Sequence, residues 1–121
     1  MRRTILTAAQ LRTMTARATK ESAFRQQIRA VAMTCGWLHY HTWDSRRSEP
    51  GFPDDVLVHP ESDVVYMVEL KRVGGQPTPE QALWLERLDG KRIDCRLWTP
   101  ADWDEIETIL VRRFKCESDC D

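Results

Sequence analysis

Acidic and basic side chains that could act together in catalysis stand near the ends of two predicted strands. The stretch GFPDDVLVHPESDVVYMVELK, residues 51–71, alternates apolar residues as a half-buried sheet does. It also carries Asp54, Glu69 and Lys71, at positions where burial of charge is costly. Two carboxylates and a lysine can hold a metal ion and stabilise charge on a phosphoryl group, provided that the fold brings them together.

A hairpin with the turn sequence PESD would bring these residues together. His59 then pairs with Val64, and counting back along both strands places Asp54 opposite Glu69. Directly opposed side chains have Cβ atoms roughly 4.5 to 5.5 Å apart, which is close enough to share one cation. Lys71 lies two residues beyond Glu69, so strand alternation turns it to the same face.

A divalent cation would compensate the repulsion between the two carboxylates. We expect Mg²⁺ or Mn²⁺ between Asp54 and Glu69, with the backbone carbonyl of Leu70 as a further oxygen ligand. Such an ion activates water and polarises a phosphoryl oxygen, while Lys71 orients or deprotonates the water. This chemistry is suited to hydrolysis of a phosphodiester. The alternative is a charged strand end exposed to solvent.

Hydrophobic periodicity and capping signals predict an α/β arrangement of helix, strand, strand, strand, helix, strand and helix, preceded by a short helix. The predicted elements are a helix after Thr7, a helix over 19–35, strands over 37–43, 54–59 and 64–72, a helix from Thr78 to Gly90, a strand over 94–98, and a last helix after Thr99 and Pro100.

The helix over 19–35 is expected to extend the site with a third carboxylate. Phe24, Ile28, Val31 and Cys35 follow a spacing that places them on one face. Glu21 continues this stripe at the N-terminal end of the helix, where the helix dipole favours negative charge. Glu21 is therefore either a site residue or only a favourable first-turn charge.

The helix after residue 77 carries a complete N-terminal capping signature. Thr78 is the expected N-cap, Pro79 the first helical residue and Gln81 the partner in a capping box. Gln81 can satisfy the backbone N–H of Thr78, or it can reach the proposed site. The sequence leaves both roles open.

The motifs GFPD, VELK and TPEQ, together with Glu21 on the preceding helix, resemble the VRR-NUC branch of the PD-(D/E)XK nucleases over roughly residues 20–100. The resemblance implies a restriction-endonuclease-like α-β-β-β-α-β core, a mixed sheet flanked by helices, and Mg²⁺- or Mn²⁺-dependent DNA cleavage. By position, Asp54 and Glu69 match the metal-binding acids of the family and Lys71 its catalytic lysine. Glu21 matches its helix glutamate, also near the metal, and Gln81 the glutamine of its following helix.

Asp55 departs from the family pattern, which has an apolar residue after the P-D pair. The predicted register pairs Asp55 with Val68 and turns it away from Asp54. A shift of the strand by one residue would exchange the two aspartates and make Asp55 the ligand.

The totals indicate one soluble domain of 121 residues, with 41% hydrophobic residues, five Trp and a net charge of −1. We expect residues 1–18 to be an N-terminal helical extension and residues 116–121 a frayed tail. The sequence contains no signal peptide and no apolar run long enough for a membrane span, so we expect a cytoplasmic protein that does not bind membranes and has reduced cysteines.

DNA is the expected partner, although the net charge is too small to indicate it. Arg46, Arg47 and Arg72 are candidate phosphate contacts beside the site. Stand-alone members of the resembled family, often from phage or bacterial genomes, are similar to Holliday-junction resolvases in working as homodimers. The resemblance therefore implies a homodimer that cuts branched or junction DNA.

Two other functions stay open. One is a catalytically silent module that keeps the fold and binds DNA or assists an assembly. The other is a zinc-dependent interaction module, with Cys35, His39, His41, Cys116 and Cys120 as ligands. The spacing of these residues is poor for zinc, and Cys35 also completes an apolar helix stripe, which favours a core role for it.

Overall fold

The computed structural model describes residues 6–43 and 48–111. Its elements are α1 (Ala8–Ala18), α2 (Glu21–Thr34), β1 (Leu38–His41), β2 (Asp55–Val58), β3 (Val65–Leu70), α3 (Pro79–Leu88), β4 (Ile93–Trp98), a 3₁₀ turn (Pro100–Asp102) and α4 (Trp103–Leu110). This order confirms the predicted α/β arrangement. The first three strands are shorter than predicted, and β4 begins one residue earlier.

The four strands form one mixed sheet in the order β1-β2-β3-β4. The β1–β2 and β2–β3 pairs are antiparallel, whereas β4 runs parallel to β3 after the crossover through α3. Asp55 pairs with Val68 and Leu57 pairs with Tyr66. The β2–β3 register is therefore the one that the PESD turn predicts.

One face of the sheet, here called the inner face, packs against α2 and α4. It contributes the buried side chains of Leu57, Val68 and Trp98 to the core. From α2 the core receives Phe24, Ile28 and Ala32. Val31 and Cys35, the other members of the predicted stripe, pack against this core as partly buried residues. Ala32, which the predicted stripe did not include, is fully buried.

The opposite, outer face is covered unevenly. Helix α3 contacts β4, and none of its residues is fully buried. On β1, by contrast, Leu38 is 70% exposed and Tyr40 is 60% exposed. Asp54, Glu69 and Lys71 belong to the outer face, because they alternate with the inner-face residues Asp55, Val68 and Leu70.

Helix α1 begins as predicted at Thr7. The side chain of Thr7 accepts a hydrogen bond from the backbone N–H of Gln10, and the side chain of Gln10 accepts one from the backbone N–H of Thr7. The helix contacts the 3₁₀ turn but buries none of its own residues. Among the described residues, no helix combines the length and the apolar character that a bilayer crossing requires.

Candidate active site

The candidate site lies at the end of the sheet where β1 and β3 finish and β2 begins. Asp54 immediately precedes β2, Glu69 is the second-last residue of β3, and Lys71 follows β3. Continuing the β2–β3 register by one pair places Asp54 opposite Glu69. The Nζ atom of Lys71 lies 4.0 Å from Oε1 of Glu69. The fold therefore brings together the three residues that the predicted hairpin selected.

Glu69 is a buried carboxylate with incomplete hydrogen bonding. Its exposed fraction is 2%. Oε1 accepts a 2.7 Å hydrogen bond from Nε2 of Gln81, whereas Oε2 is buried without a hydrogen-bond partner. A buried acceptor left in this state is costly unless a proton or a cation binds it.

Burial raises the pKa of Glu69 to about 7, and the neighbouring charge of Asp54 contributes to this rise. The charge of Lys71 and the backbone N–H of Asp54 act in the opposite direction but only in part compensate. Burial also raises the pKa of Asp54, where Arg25 opposes the shift. Without a bound cation, the pair therefore favours protonation.

The oxygens of Asp54 and Glu69 could hold a divalent cation. The unpartnered Oε2 of Glu69 supplies a free acceptor, and carboxylate oxygens are the ligands that Mg²⁺ and Mn²⁺ prefer. Within residues 6–43 and 48–111, no group of three or more His, Cys, Asp and Glu side chains has an arrangement that could hold a metal ion. The candidate ligands are therefore the side chains of Asp54 and Glu69. Backbone carbonyls, such as that of Leu70, and water would have to supply the remaining ligands.

Glu21 lies in the first turn of α2, with its side chain 44% exposed, and one of its oxygens lies 3.8 Å from a guanidinium nitrogen of Arg25. Its negative charge contributes to the raised pKa of Glu69. The structure therefore places Glu21 within electrostatic reach of the site, but not in one cluster of three acids with Asp54 and Glu69.

Gln81 makes the capping contacts and also contacts Glu69. Its Oε1 accepts a 2.9 Å hydrogen bond from the backbone N–H of Thr78, and its backbone N–H donates to the Thr78 hydroxyl at 3.2 Å. Its Nε2 donates to Glu69. Because the amide has separate donor and acceptor atoms, capping and contact with Glu69 are compatible.

Asp55 has a different environment from Asp54. It is 1% exposed on the inner face, and it accepts hydrogen bonds from Nε of Arg25 at 3.0 Å and from Nη2 of Arg25 at 2.9 Å. Nε2 of His39 lies 2.7 Å from Oδ2 of the same carboxylate. Burial would raise the pKa of Asp55, but hydrogen bonds from His39 and Arg25 hold it below its usual value.

The surrounding contacts assign the tautomer of His39. Its Nδ1 lies 3.3 Å from Nη1 of Arg29, which can only donate, so Nδ1 is the acceptor and Nε2 carries the proton toward Asp55. The network of Arg25, His39 and Asp55 was not predicted from the sequence. The available signal was Arg25, which stands one helical turn after Glu21.

His39 and His41 share the inner face, as strand alternation predicts, but both point toward Asp55. Nδ1 of His41 lies 3.9 Å from Oδ1 of Asp55 and has no hydrogen-bond partner. Cys116 and Cys120, the other half of the zinc hypothesis, lie outside the described residues. The described part of that ligand set forms no metal-binding group.

A loop packed on α3 leads directly into Asp54. Gly51 has a φ of +96°, and a Cβ atom there would stand 2.5 Å from the backbone carbonyl carbon of Glu80. Nε1 of Trp84 donates to the carbonyl of Pro50 at 3.1 Å, and the rings of Phe52 and Trp84 meet edge to face at 5.3 Å. These contacts fix the chain just before the catalytic candidate.

The structure describes one of the three arginines that were predicted to contact phosphates. Arg72 is exposed, immediately after Lys71. Arg46 and Arg47 lie outside the described residues. Their role in DNA binding stays a prediction.

Comparison with known proteins agrees with the resemblance inferred from the motifs. The sequence profile of the VRR-NUC domain matches residues 4–100, which also include α1. A solved structure described as a VRR_NUC domain has a TM-score of 0.61 and 21% identity, over 80% of this chain and 100% of that chain. Comparison with curated proteins gave no match. At this identity, the structural likeness establishes a nuclease-type fold.

Proposed function

Because this chain belongs to the VRR-NUC domain family, we propose that it is a Mg²⁺- or Mn²⁺-dependent endonuclease that hydrolyses phosphodiester bonds in DNA. One observation carries the proposal. Glu69 is buried with one unpartnered oxygen, opposite Asp54 and beside Lys71. An ordinary surface ion pair would not retain a buried carboxylate in this state.

Asp54 and Glu69 would hold the cation, which when bound supplies a Lewis acid and an activated water. Gln81 has a positioning role, since its hydrogen bond to Oε1 leaves Oε2 of Glu69 as the available acceptor. The carbonyl of Leu70 is the proposed backbone ligand. Glu21 contributes negative charge from the start of α2, either directly or through water.

Lys71 would act on the substrate. Its ammonium group is near enough to Glu69 to be held on the outer face, but at 4.0 Å it is not tied up in a short hydrogen bond. It can therefore donate to a phosphoryl oxygen or orient the attacking water. Arg72, together with Arg46 and Arg47, which precede β2 in the sequence, are the proposed contacts to flanking phosphates.

Branched DNA, including four-way junctions, is the proposed substrate, and a homodimer the proposed active form. A two-fold axis would present two sites to two strands of a junction, whereas one protomer presents one. The cytoplasm is the proposed location, in keeping with the free thiols of Cys35 and Cys95. Sedimentation velocity tests the dimer independently of activity.

The proposed function is tested by incubating end-labelled four-way junction, flap and linear duplex DNA with Mg²⁺ or Mn²⁺. Wild type is compared with Lys71→Ala. Symmetric cuts in the junction that are lost in the variant support a dimeric, structure-selective nuclease. Binding of DNA without cutting of any substrate would contradict the enzyme and leave the silent DNA-binding module.

A further inference from the structure

Trp43 is exposed to an extent that core packing does not explain. Its exposed fraction is 94%, whereas Trp37 is 2% exposed and Trp98 is 0% exposed. It stands just after β1, where the chain leaves the sheet. No other large hydrophobic residue in the described part of the chain is as exposed, and an aromatic ring in this state is available to contact a ligand.

The β1–β2 pairing places Trp43 beside the candidate site. The backbone N–H of Thr42 donates to the carbonyl of Asp54 at 2.9 Å, so these two residues face each other across the strands. Such a pair has Cα atoms about 5.5 Å apart, and consecutive Cα atoms are about 3.8 Å apart. The Cα of Trp43 therefore lies within about 9 Å of the Cα of Asp54.

The residues at this end of the sheet have a fixed order. Strand order β1-β2-β3 puts Trp43 on one side of Asp54, and Lys71 and Arg72 on the other. In strand order, the carboxylate pair thus lies between the segment that carries Trp43 and the segment that carries the two cations. Cations suit phosphates, whereas an exposed aromatic ring suits the face of an unstacked base.

A second copy of the chain is a weaker explanation for Trp43. Pairing of two β1 edges would need the outward carbonyl of His39, but Nη1 of Arg29 already donates to that oxygen at 3.3 Å. Trp43 also lies beyond the end of β1, outside the stretch that edge pairing would use.

We propose that Trp43 stacks on an unpaired base of the DNA substrate next to the scissile phosphate. This inference rests on the proposed nuclease function and names a residue that would favour those branched DNAs that have single-stranded regions, such as a flap, over continuous duplex. A continuous duplex keeps its bases stacked on each other and offers no face to the ring.

Binding is tested first, without cleavage. Wild type and Trp43→Phe are titrated with a thymidine oligonucleotide in chelator, with tryptophan fluorescence as the readout. We expect quenching in wild type that is absent in Trp43→Phe. We also expect affinity to fall about 5- to 100-fold in Trp43→Ala. Leu38→Ala, which removes another exposed apolar side chain of the same strand, is the matched control.

Specificity is tested second, as the ratio of flap to duplex cleavage. The ratio should fall in Trp43→Ala and be largely restored in Trp43→Phe. An unchanged ratio, equal quenching in Trp43→Phe, or a loss of dimer in Trp43→Ala by sedimentation would overturn the inference. Absence of cleavage by wild type, with quenching intact, would contradict only the proposed function.

Discussion

Glu69 is the central residue of the candidate site, because Gln81, Lys71 and Asp54 all lie next to its carboxylate. Gln81 donates to its Oε1, Lys71 lies 4.0 Å from the same atom, and Asp54 faces it across the strands. Its second oxygen is buried and unpartnered. The free energy of the apo protein should therefore depend on whether this carboxylate carries a proton.

The first prediction concerns pH. The pKa of Glu69 is about 7 in the folded protein against 4.5 for an ordinary glutamate, so the folded state binds more protons between these values. Stability must then fall as pH rises through this window, by about 3 kcal/mol in total. Urea unfolding of wild type in chelator from pH 4 to pH 8 measures the loss.

Glu69→Gln is the control for this prediction, because it removes the titrating group and keeps the shape. The difference in unfolding free energy between the variant and wild type should grow with pH across the window. A difference that does not change with pH would contradict the raised pKa.

The second prediction separates the two roles of Gln81. Gln81→Glu keeps an acceptor for the backbone N–H of Thr78 but replaces the donor to Glu69 with a second carboxylate. We expect cleavage to slow at least about 10-fold, because that is the usual cost of disturbing an outer-shell partner of a metal ligand.

Thr78→Ala is the matched variant, because it removes the cap and leaves the Gln81 amide. It should lower the unfolding free energy by about 1 kcal/mol with a smaller effect on the cleavage rate. If Thr78→Ala slows cleavage as much as Gln81→Glu does, Gln81 acts only through the helix.

The residues of the hairpin could be placed from the sequence because a turn and strand alternation are enough to position them. Both are local, and the β2–β3 register follows from them. The environment of Asp55 could not be derived in this way. Arg25 on α2 and His39 on β1 are 30 and 16 residues away from Asp55 in the sequence. Only tertiary packing brings them into contact with it.

At the scale of elements, the loop before β2 is held against α3 by a close backbone approach. Gly51 and Glu80 leave no space for a side chain, and the positive φ of Gly51 is itself unfavourable for other residues. The docking of α3 and the position of Asp54 therefore depend on the same glycine.

The third prediction is that Gly51→Ala destabilises the protein by about 2 kcal/mol or more and also slows cleavage. Gly74→Ala is the control, because Gly74 has a φ of +85° but no atom lies within 4 Å of the place where its Cβ would stand. It should cost only the backbone strain, about 1 kcal/mol. Equal losses in thermal unfolding would mean that the contact with Glu80 is unimportant.

The fourth prediction distinguishes the two neighbouring aspartates. Asp55→Asn breaks a buried ion pair that ties α2 to the sheet, and should cost about 3 kcal/mol of unfolding free energy. Asp54→Asn removes one of two repelling carboxylates, and should abolish cleavage without lowering stability. The opposite pattern in unfolding and cleavage assays would mean that Asp55 is the functional acid.

The start of a helix can be predicted from the sequence where a local capping signature determines it. The capping box at Thr78 is local, and α3 begins there as predicted. Thr99 and Pro100 carry a similar signature, but a 3₁₀ turn follows and α4 begins only at Trp103. The backbone N–H of Asp102 donates to the carbonyl of Thr99 at 2.9 Å, and this bond between residues three apart closes a tighter turn than an α-helix has.

At the scale of the whole molecule, the two faces of the sheet have different tasks. The inner face forms the core with α2 and α4, and the Nε1 of Trp37 secures that core by donating to the carbonyl of Leu110 at 2.9 Å. The outer face keeps the charged pair at one end and leaves Tyr40 on β1 exposed beside it. Fold stability and the candidate chemistry are therefore carried by opposite faces, so a functional substitution on the outer face can leave the core intact.

Single-turnover cleavage of the best-cut DNA in Mn²⁺ by wild type and Glu69→Gln tests the proposed metal site most directly. Asp94→Asn, which alters a carboxylate bound to Arg96 on the other face, is the control. We predict that Glu69→Gln is at least about 100-fold slower, because loss of a metal ligand removes several kcal/mol of transition-state stabilisation. Cleavage by Glu69→Gln at the wild-type rate would contradict a metal-dependent nuclease centred on this carboxylate.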